Sequence, residues 1–174
     1  VNLKPTSTPE PKIPEQLSGK NGWVGRSYYQ HGQKVISKWI YDSQYKSYFY
    51  LDAVGEYVEN AWVGNYYLKS GGYMAKSEWI YDGNYGSYYY LTSEGSYARN
   101  AWSGSYYLKS NGKMANSEWI YDNDYKAYYY LTSEGSYARN KWVGDYYLKS
   151  DGKMAVSERT PDGYRVDGSG KWIK

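Results

Sequence analysis

Residues 61–100 and 101–140 of this chain are near copies. Of their 40 positions 31 are identical, AWVGNYYLKSGGYMAKSEWIYDGNYGSYYYLTSEGSYARN against AWSGSYYLKSNGKMANSEWIYDNDYKAYYYLTSEGSYARN. A chain that repeats at a fixed period folds as an array of equivalent units, each burying its apolar face against its neighbours. The period is compound. Trp stands at 23, 39, 62, 79, 102, 119 and 142, at gaps of 16, 23, 17, 23, 17 and 23 residues, with a last Trp at 172. A short unit, W-x-G-x-Y-Y-L-K-S-x-G-x-M-A-x-S-E (residues 62–78), alternates with a long unit, W-I-Y-D-x-x-Y-x-x-Y-Y-Y-L-T-S-E-G-S-Y-A-R-N-x (residues 79–101).

Both units share a core: Trp, then Y-Y-L, then Gly four residues after the Leu and Met or Tyr six after it. Tyr, Trp and Leu favour strands, and K-S-x-G or T-S-E-G supplies Gly where a tight turn needs positive φ, so each core reads as a β-hairpin. No 3.6-residue apolar stripe develops, which excludes helices. A lone hairpin is marginal in water, whereas stacked hairpins bury their aromatic faces together. The fold expected is all-β, a solenoid of stacked β-hairpins with short and long repeats alternating. Strand alternation places Tyr88 and Tyr90 on one face, and Tyr89 and Leu91 on the other. Leu and its partner Tyr build the inner core, and the face carrying the repeat Trp meets the next hairpin.

The ends depart from the pattern. Residues 1–20 hold four of the five Pro and no aromatic residue, and read as an extended linker. Residues 21–174 form the repeat module, about eight hairpins. Its first short unit is degenerate, with Gln30 for Leu and Val35 for Met. Near the other end Arg159 stands where a Trp is expected, and Tyr164-Arg165-Val166 replaces Y-Y-L in a shortened, cap-like hairpin.

Composition narrows function by exclusion. The chain holds 27 Tyr, 8 Trp and one Phe, which rules out compositional disorder. There is no Cys and a single His, His31, so disulfides, thiolate metal sites and a His-based catalytic triad are not expected. The net charge of +3 comes from interspersed charges, against a dedicated nucleic-acid surface. No run of 18 apolar residues offers a transmembrane helix. Asp42, Asp82 and Asp122, and Glu78, Glu118 and Glu158, recur with the repeat. A glycosidase needs one unique carboxylate pair, so these point to scaffold roles such as turn hydrogen bonding. Neither a cofactor nor an enzymatic activity is expected of this chain, whatever domain adjoins it. Trp and Tyr faces converging from two hairpins make a box for a weakly hydrated cation. The same rings also suit simple core packing, stacking of a glucan, or an adhesin-like surface for host proteins.

The recurring Trp…Y-Y-L-x-x-x-G-x-M pattern resembles the choline-binding, or cell-wall-binding, repeats of streptococcal surface proteins. The resemblance covers residues 21–174, and the motif recurs seven times in register. It implies hairpins stacked as a superhelix with choline between consecutive hairpins. It also implies anchoring to phosphocholine on teichoic and lipoteichoic acids, on a secreted protein of the Gram-positive cell surface and wall. Choline-dependent oligomers and a separate catalytic domain in the parent protein are compatible with it. Carried over position by position, the resemblance implies three boxes. These are Trp39, Tyr48 and Tyr67 over a floor of Tyr57; Trp79, Tyr88 and Tyr107 over Tyr97; and Trp119, Tyr128 and Tyr147 over Tyr137. Weaker sites would join Trp62, Met74 and Tyr90, and Trp102, Met114 and Tyr130, because Asn65 and Ser105 stand where a wall is needed. At Trp142, Arg165 takes the expected partner position and would repel a cation.

Overall fold

The computed structural model describes residues 17–174. Most of the segment read as a linker therefore lies outside the described residues. Its last residues, Leu17 to Lys20, already join the first hairpin: the Leu17 amide donates to the Gly32 carbonyl at 2.8 Å, and the Gly32 amide to that of Lys20 at 2.8 Å. The chain divides into two compact units at Ala75/Lys76, and each is a series of antiparallel hairpins.

The first unit begins with a three-stranded ribbon of β1 (Gly22–Val24), β2 (Ser27–Gln30) and β3 (Gln33–Lys34). A long hairpin, β4 (Lys38–Asp42) with β5 (Ser47–Leu51), and a short one, β6 (Ala61–Val63) with β7 (Tyr66–Leu68), follow. The second unit alternates long and short hairpins in the same way. They are β8 (Glu78–Asp82) with β9 (Ser87–Leu91), β10 (Ala101–Ser103) with β11 (Tyr106–Leu108), β12 (Glu118–Asp122) with β13 (Ala127–Leu131), and β14 (Lys141–Val143) with β15 (Tyr146–Leu148). It ends in the bridges Arg159↔Arg165 and Val166↔Trp172.

Register follows from the pleat. In the long hairpins Trp79 stands opposite Tyr90, and Tyr81 opposite Tyr88, on one face; Ile80 and Tyr89 are paired on the other. The Leu face is the core: Leu51 and Leu68 in the first unit, and Leu91, Leu108, Leu131 and Leu148 in the second, are completely buried. Each Leu also bridges the Met or Tyr six residues on, as Leu108 does Met114 and Leu131 does Tyr137. The K-S-x-G turn closes with a Gly amide donating to the Lys carbonyl, 2.9 Å for Gly112 to Lys109. Gly112 has φ +83°, and a Cβ there would lie 2.6 Å from the Tyr97 ring, so conformation and close packing both require glycine.

Hairpins are joined through single left-handed residues. Ser117, ahead of β12, has φ +49°, and Asn100, ahead of β10, has φ +51°. Their short polar side chains tolerate this conformation better than most. This explains why Ser or Asn recurs at these junctions, as Ser37, Asn60, Ser77, Asn100, Ser117, Asn140 and Ser157.

Candidate functional site: methionine-floored aromatic cages

Each long-hairpin Trp is met by a ring from the next hairpin. Trp39 and Tyr66 have centroids 5.5 Å apart at 73°, Trp79 and Tyr106 5.6 Å at 75°, and Trp119 and Tyr146 5.7 Å at 75°. The planes are nearly perpendicular, so the two rings form adjoining walls. The third wall is Tyr48, Tyr88 or Tyr128 on the partner strand, each left about half exposed. Its backbone carbonyl accepts the amide of the methionine that follows the next hairpin: Met74 to Tyr48 at 3.2 Å, Met114 to Tyr88 at 3.0 Å and Met154 to Tyr128 at 2.9 Å. That bond fixes the methionine at the base of the cage. Around Trp79 the result is a cavity of about 290 Å³ lined by Trp79, Tyr88, Tyr106, Met114 and Glu134.

Two further features shape the cages. The Met114 Cε fits only because residue 135 is glycine: a Cβ there would lie 2.6 Å from it, and Gly170 stands in the same relation to Met154. Behind each exposed wall lies a second tyrosine, with Tyr41–Tyr48 centroids at 5.0 Å, Tyr81–Tyr88 at 4.8 Å and Tyr121–Tyr128 at 4.8 Å. These props fix the tilt of the wall rings.

The repeat Trp and the first wall therefore stand where the sequence places them: Trp39 with Tyr48, Trp79 with Tyr88, and Trp119 with Tyr128. The remaining members of the expected boxes do not join them. Tyr107 and Tyr147 are cross-strand partners of Trp102 and Trp142, at 5.1 and 5.2 Å, and Tyr67 is that of Trp62 at 5.1 Å. The pleat is the reason. In Y-Y-L the tyrosine two before Leu shares the Leu face and points back at the preceding hairpin, while the tyrosine next to Leu pairs within its own. The floors are likewise displaced by one hairpin. Tyr57 packs on Trp23 and Tyr137 on Trp102, both at 5.9 Å, so each floor comes from the hairpin that supplies the second wall. Tyr97 lies over Gly112. Of the weaker sites, Met74 and Met114 belong to the Trp39 and Trp79 cages, and Tyr90 and Tyr130 pair with Trp79 and Trp119 at 5.3 and 5.2 Å. The signal for Tyr66, Tyr106 and Tyr146 was available in strand alternation. The props Tyr41, Tyr81 and Tyr121 require the hairpin register as well.

The Trp102 indole sits in close packing, and Trp23 has the same edgewise ring contacts beside a cavity of about 180 Å³ lined in part by Tyr45, Phe49, Tyr57 and Tyr73. Trp102 is met edgewise by Tyr107, Tyr129 and Tyr137, and Trp23 by Tyr28, Phe49 and Tyr57. Their indole N–H groups donate to Asp122 and Asp42 Oδ2, each at 2.7 Å. The other oxygen of Asp122 accepts the amides of Asp124 and Tyr125 at 2.8 and 3.1 Å. Burial pushes the Asp122 carboxyl up, but the Trp102 indole and those two amides together outweigh it and hold it below the ordinary range. Desolvation first, then the Asp122 charge, pushes the neighbouring Tyr129 phenol up to about 12. The repeating glutamates are also structural: Glu118 Oε2 accepts the Asn116 amide at 3.0 Å and the Lys109 ammonium at 3.3 Å. Among the described residues no three His, Asp or Glu side chains gather as a metal site, and no helix is long and apolar enough to cross a membrane.

At Trp142 the packing opens again. Tyr164 and Trp172 face Trp142 at 6.1 and 6.4 Å, and a cavity of about 280 Å³ is lined by Trp142, Gly144, Asp145, Asp162, Tyr164 and Trp172. Arg165, expected to block this position, bridges Arg159 across its own hairpin and does not line the cavity.

Comparison with known proteins follows the same period. The family model described as a choline-binding repeat matches residues 56–97, 96–137 and 136–172. The choline-binding domain of CbpL from Streptococcus pneumoniae is 57% identical, with a TM-score of 0.83 over 88% of this chain and 86% of that one. Choline binding protein F from the same organism is 29% identical, with a TM-score of 0.62 over 89% of this chain and 58% of its own. A putative endo-beta-N-acetylglucosaminidase of S. pneumoniae is 48% identical over 59 residues, 31% of this chain but only 9% of that protein.

Proposed function

Because the chain belongs to the choline-binding repeat family and is a binding module rather than a catalytic one, we propose that it anchors its parent protein non-covalently to phosphocholine on teichoic and lipoteichoic acids of a streptococcal wall. It does so from the outer surface of the cell, after secretion. The observation that carries this function is the open cage of three rings and a methionine at Trp39, Trp79 and Trp119. The trimethylammonium group enters with its methyl groups against perpendicular π faces and the thioether. No hydrogen-bond acceptor is needed, because a quaternary ammonium has no N–H to donate and is weakly hydrated. The phosphate and the polymer remain in water.

Each ring contributes about 0.5–2 kcal/mol, so a cage of this kind holds free choline with a dissociation constant on the order of millimolar. A polymer bearing many cholines engages several cages at once, and effective concentration turns weak sites into firm retention. A domain joined to this module would thereby be held on choline-decorated wall.

The test is a choline titration followed by Trp fluorescence, with glucose and a short glucan as controls. A saturable millimolar response to choline alone supports anchoring through choline. A response to the glucan and none to choline replaces it with carbohydrate binding.

A further inference from the structure

The cavity at Trp142 differs from the methionine-floored cages in kind. Its three rings are Trp142, Tyr164 and Trp172, with Tyr164 and Trp172 centroids 5.6 Å apart at 86°. Its remaining lining includes two carboxylates, Asp145 and Asp162. Asp162 is committed: Oδ2 accepts the Trp142 indole at 2.8 Å, and Oδ1 accepts the Thr160 hydroxyl. It repeats the role of Asp122 beneath Trp102. Asp145 is different. It holds the place of Asn65 and Ser105 in the other short hairpins, it is half-buried, and its carboxylate has no hydrogen-bond or ion-pair partner among the described residues. The backbone ties it to the cage, since the Trp172 amide donates to the Asp145 carbonyl at 2.9 Å.

Comparison with Trp102 explains why this site is open. There Tyr129 is buried and stands 5.0 Å from the indole. Here the final hairpin lacks the W-I-Y strand that would bury its tyrosine. Tyr164 stays about half exposed and 6.1 Å away, and Trp172 replaces the tyrosine floor. The Trp172 ring already attracts a cation of the chain itself: the Lys174 ammonium lies 5.3 Å from its centroid.

We propose that Trp142, Tyr164 and Trp172, with Asp145, form a separate cage for an organic ammonium that retains an N–H, such as the tertiary ammonium of N,N-dimethylethanolamine, in preference to a quaternary one. The rings supply π faces for alkyl groups beside a positive charge, as in the other cages. A carboxylate at the wall adds a charge-assisted acceptor, which only an ammonium carrying a proton can use. The Met-floored cage at Trp79 also has a carboxylate in its lining, Glu134, but on an exposed side chain where water screens it, whereas Asp145 is partly buried beside the rings. The preference for an N–H is therefore expected at the Trp142 cage. The terminal cage stands on its own residues, whether or not the others take choline.

The assay is an assigned ¹⁵N–¹H spectrum of the indole groups, titrated with choline and with N,N-dimethylethanolamine near neutral pH, where the amine is protonated. The Trp142 and Trp172 signals are expected to shift, with the tertiary amine half-saturating at about one fifth of the choline concentration, a modest gain for one charge-assisted bond at a half-exposed wall. Asp145→Asn should equalise the two amines at these signals. The Trp79 indole reports the Met-floored cages in the same spectra. The proposal is overturned if Trp142 and Trp172 stay unmoved by both amines, if choline saturates them first, or if Asp145→Asn keeps the preference. A silent Trp79 beside a responding Trp142 would instead count against choline binding at the Met-floored cages.

Discussion

Tyr106→Leu tests the cage geometry most directly, because its neighbour Tyr107 is the obvious alternative wall. The Tyr106 ring stands 5.6 Å from Trp79 and perpendicular to it. A cation resting on the Trp79 face therefore also rests on the Tyr106 face. Leu keeps bulk and apolarity at the position and removes only the quadrupole. The loss is one cation–π wall, about 0.5–2 kcal/mol, or a dissociation constant raised about 2- to 30-fold. Tyr106→Phe keeps the π face and should stay within about twofold of wild type. Tyr107 pairs with Trp102 at 5.1 Å, on the far side of its hairpin. Tyr107→Leu should lower stability and leave choline affinity at Trp79 within about twofold, since the cage loses no wall. The readout must be specific to one cage, because the Trp39 and Trp119 sites would mask a single loss in bulk binding. The Trp79 indole resonance during a choline titration meets that need. A weakened Trp79 site in Tyr107→Leu, with Tyr106→Leu unaffected, would refute the assignment of walls.

Trp79→Ala and Trp119→Ala should each reduce retention on a choline support more than Trp102→Ala does. Trp102→Ala should instead lower unfolding free energy by about 3–5 kcal/mol in denaturant melts, through its buried rings and the orphaned Asp122. Gly135→Ala places a Cβ 2.6 Å from Met114 Cε at φ +95°. It should cost about 1–2 kcal/mol of stability and weaken the Trp79 cage by displacing its floor, read by thermal melts and the Trp79 resonance. Spectrophotometric titration at 295 nm, compared with a Tyr129→Phe variant, should show Tyr129 ionising at about 12. The raised value means that its contribution to stability is complete below pH ~10 and lost as pH rises toward 12. Asp122 carries the opposite sign: its held-down carboxyl contributes above pH ~4, and that contribution is lost as pH falls through its lower folded value.

What the sequence discloses here is whatever is local. The 40-residue period, the hairpin in each unit and the burial of Leu91 and Tyr89 against the exposure of Tyr88 all follow from propensity, turn chemistry and the pleat. The scaffold role of Asp82 and Asp122 follows from their recurrence, and both bind turn amides as that recurrence implies. Cage membership is not local. Tyr106 and Met114 reach Trp79 because strand alternation and the Met114–Tyr88 hydrogen bond both lead back to the previous hairpin. A motif read within one unit assigns Tyr97 and Tyr107 instead, each one hairpin out of place. The terminal cavity was hidden for a related reason. Aligning the cap on Y-Y-L draws attention to Arg165, whereas the ring that faces Trp142 is Tyr164, one residue earlier on the opposite face.

The alternation of open and closed sites has a mechanical logic. A long hairpin carries a tyrosine at the wall position and a prop behind it. A short hairpin has Asn65, Ser105 or Asp145 there, and at Trp102 the vacancy is filled by Tyr129 packing down on the indole. The short hairpin at Trp102 is thereby a packed cluster, pinned by the Trp102–Asp122 bond. Yet it also supplies Tyr106 and Met114 to the cage before it. A packed cluster of this kind thus pre-forms the second wall and floor of the candidate cage before it. Pre-forming matters for sites of millimolar strength. Ordering a mobile ring on binding costs about 0.5–1.5 kcal/mol, comparable to the whole contribution of one cation–π wall. Removing the closed cluster, as Trp102→Ala does, should loosen the Trp79 cage only to the extent that Tyr106 and Met114 become mobile. Its effect on choline affinity should accordingly track the loss of order on β11 rather than any lost contact with the ligand.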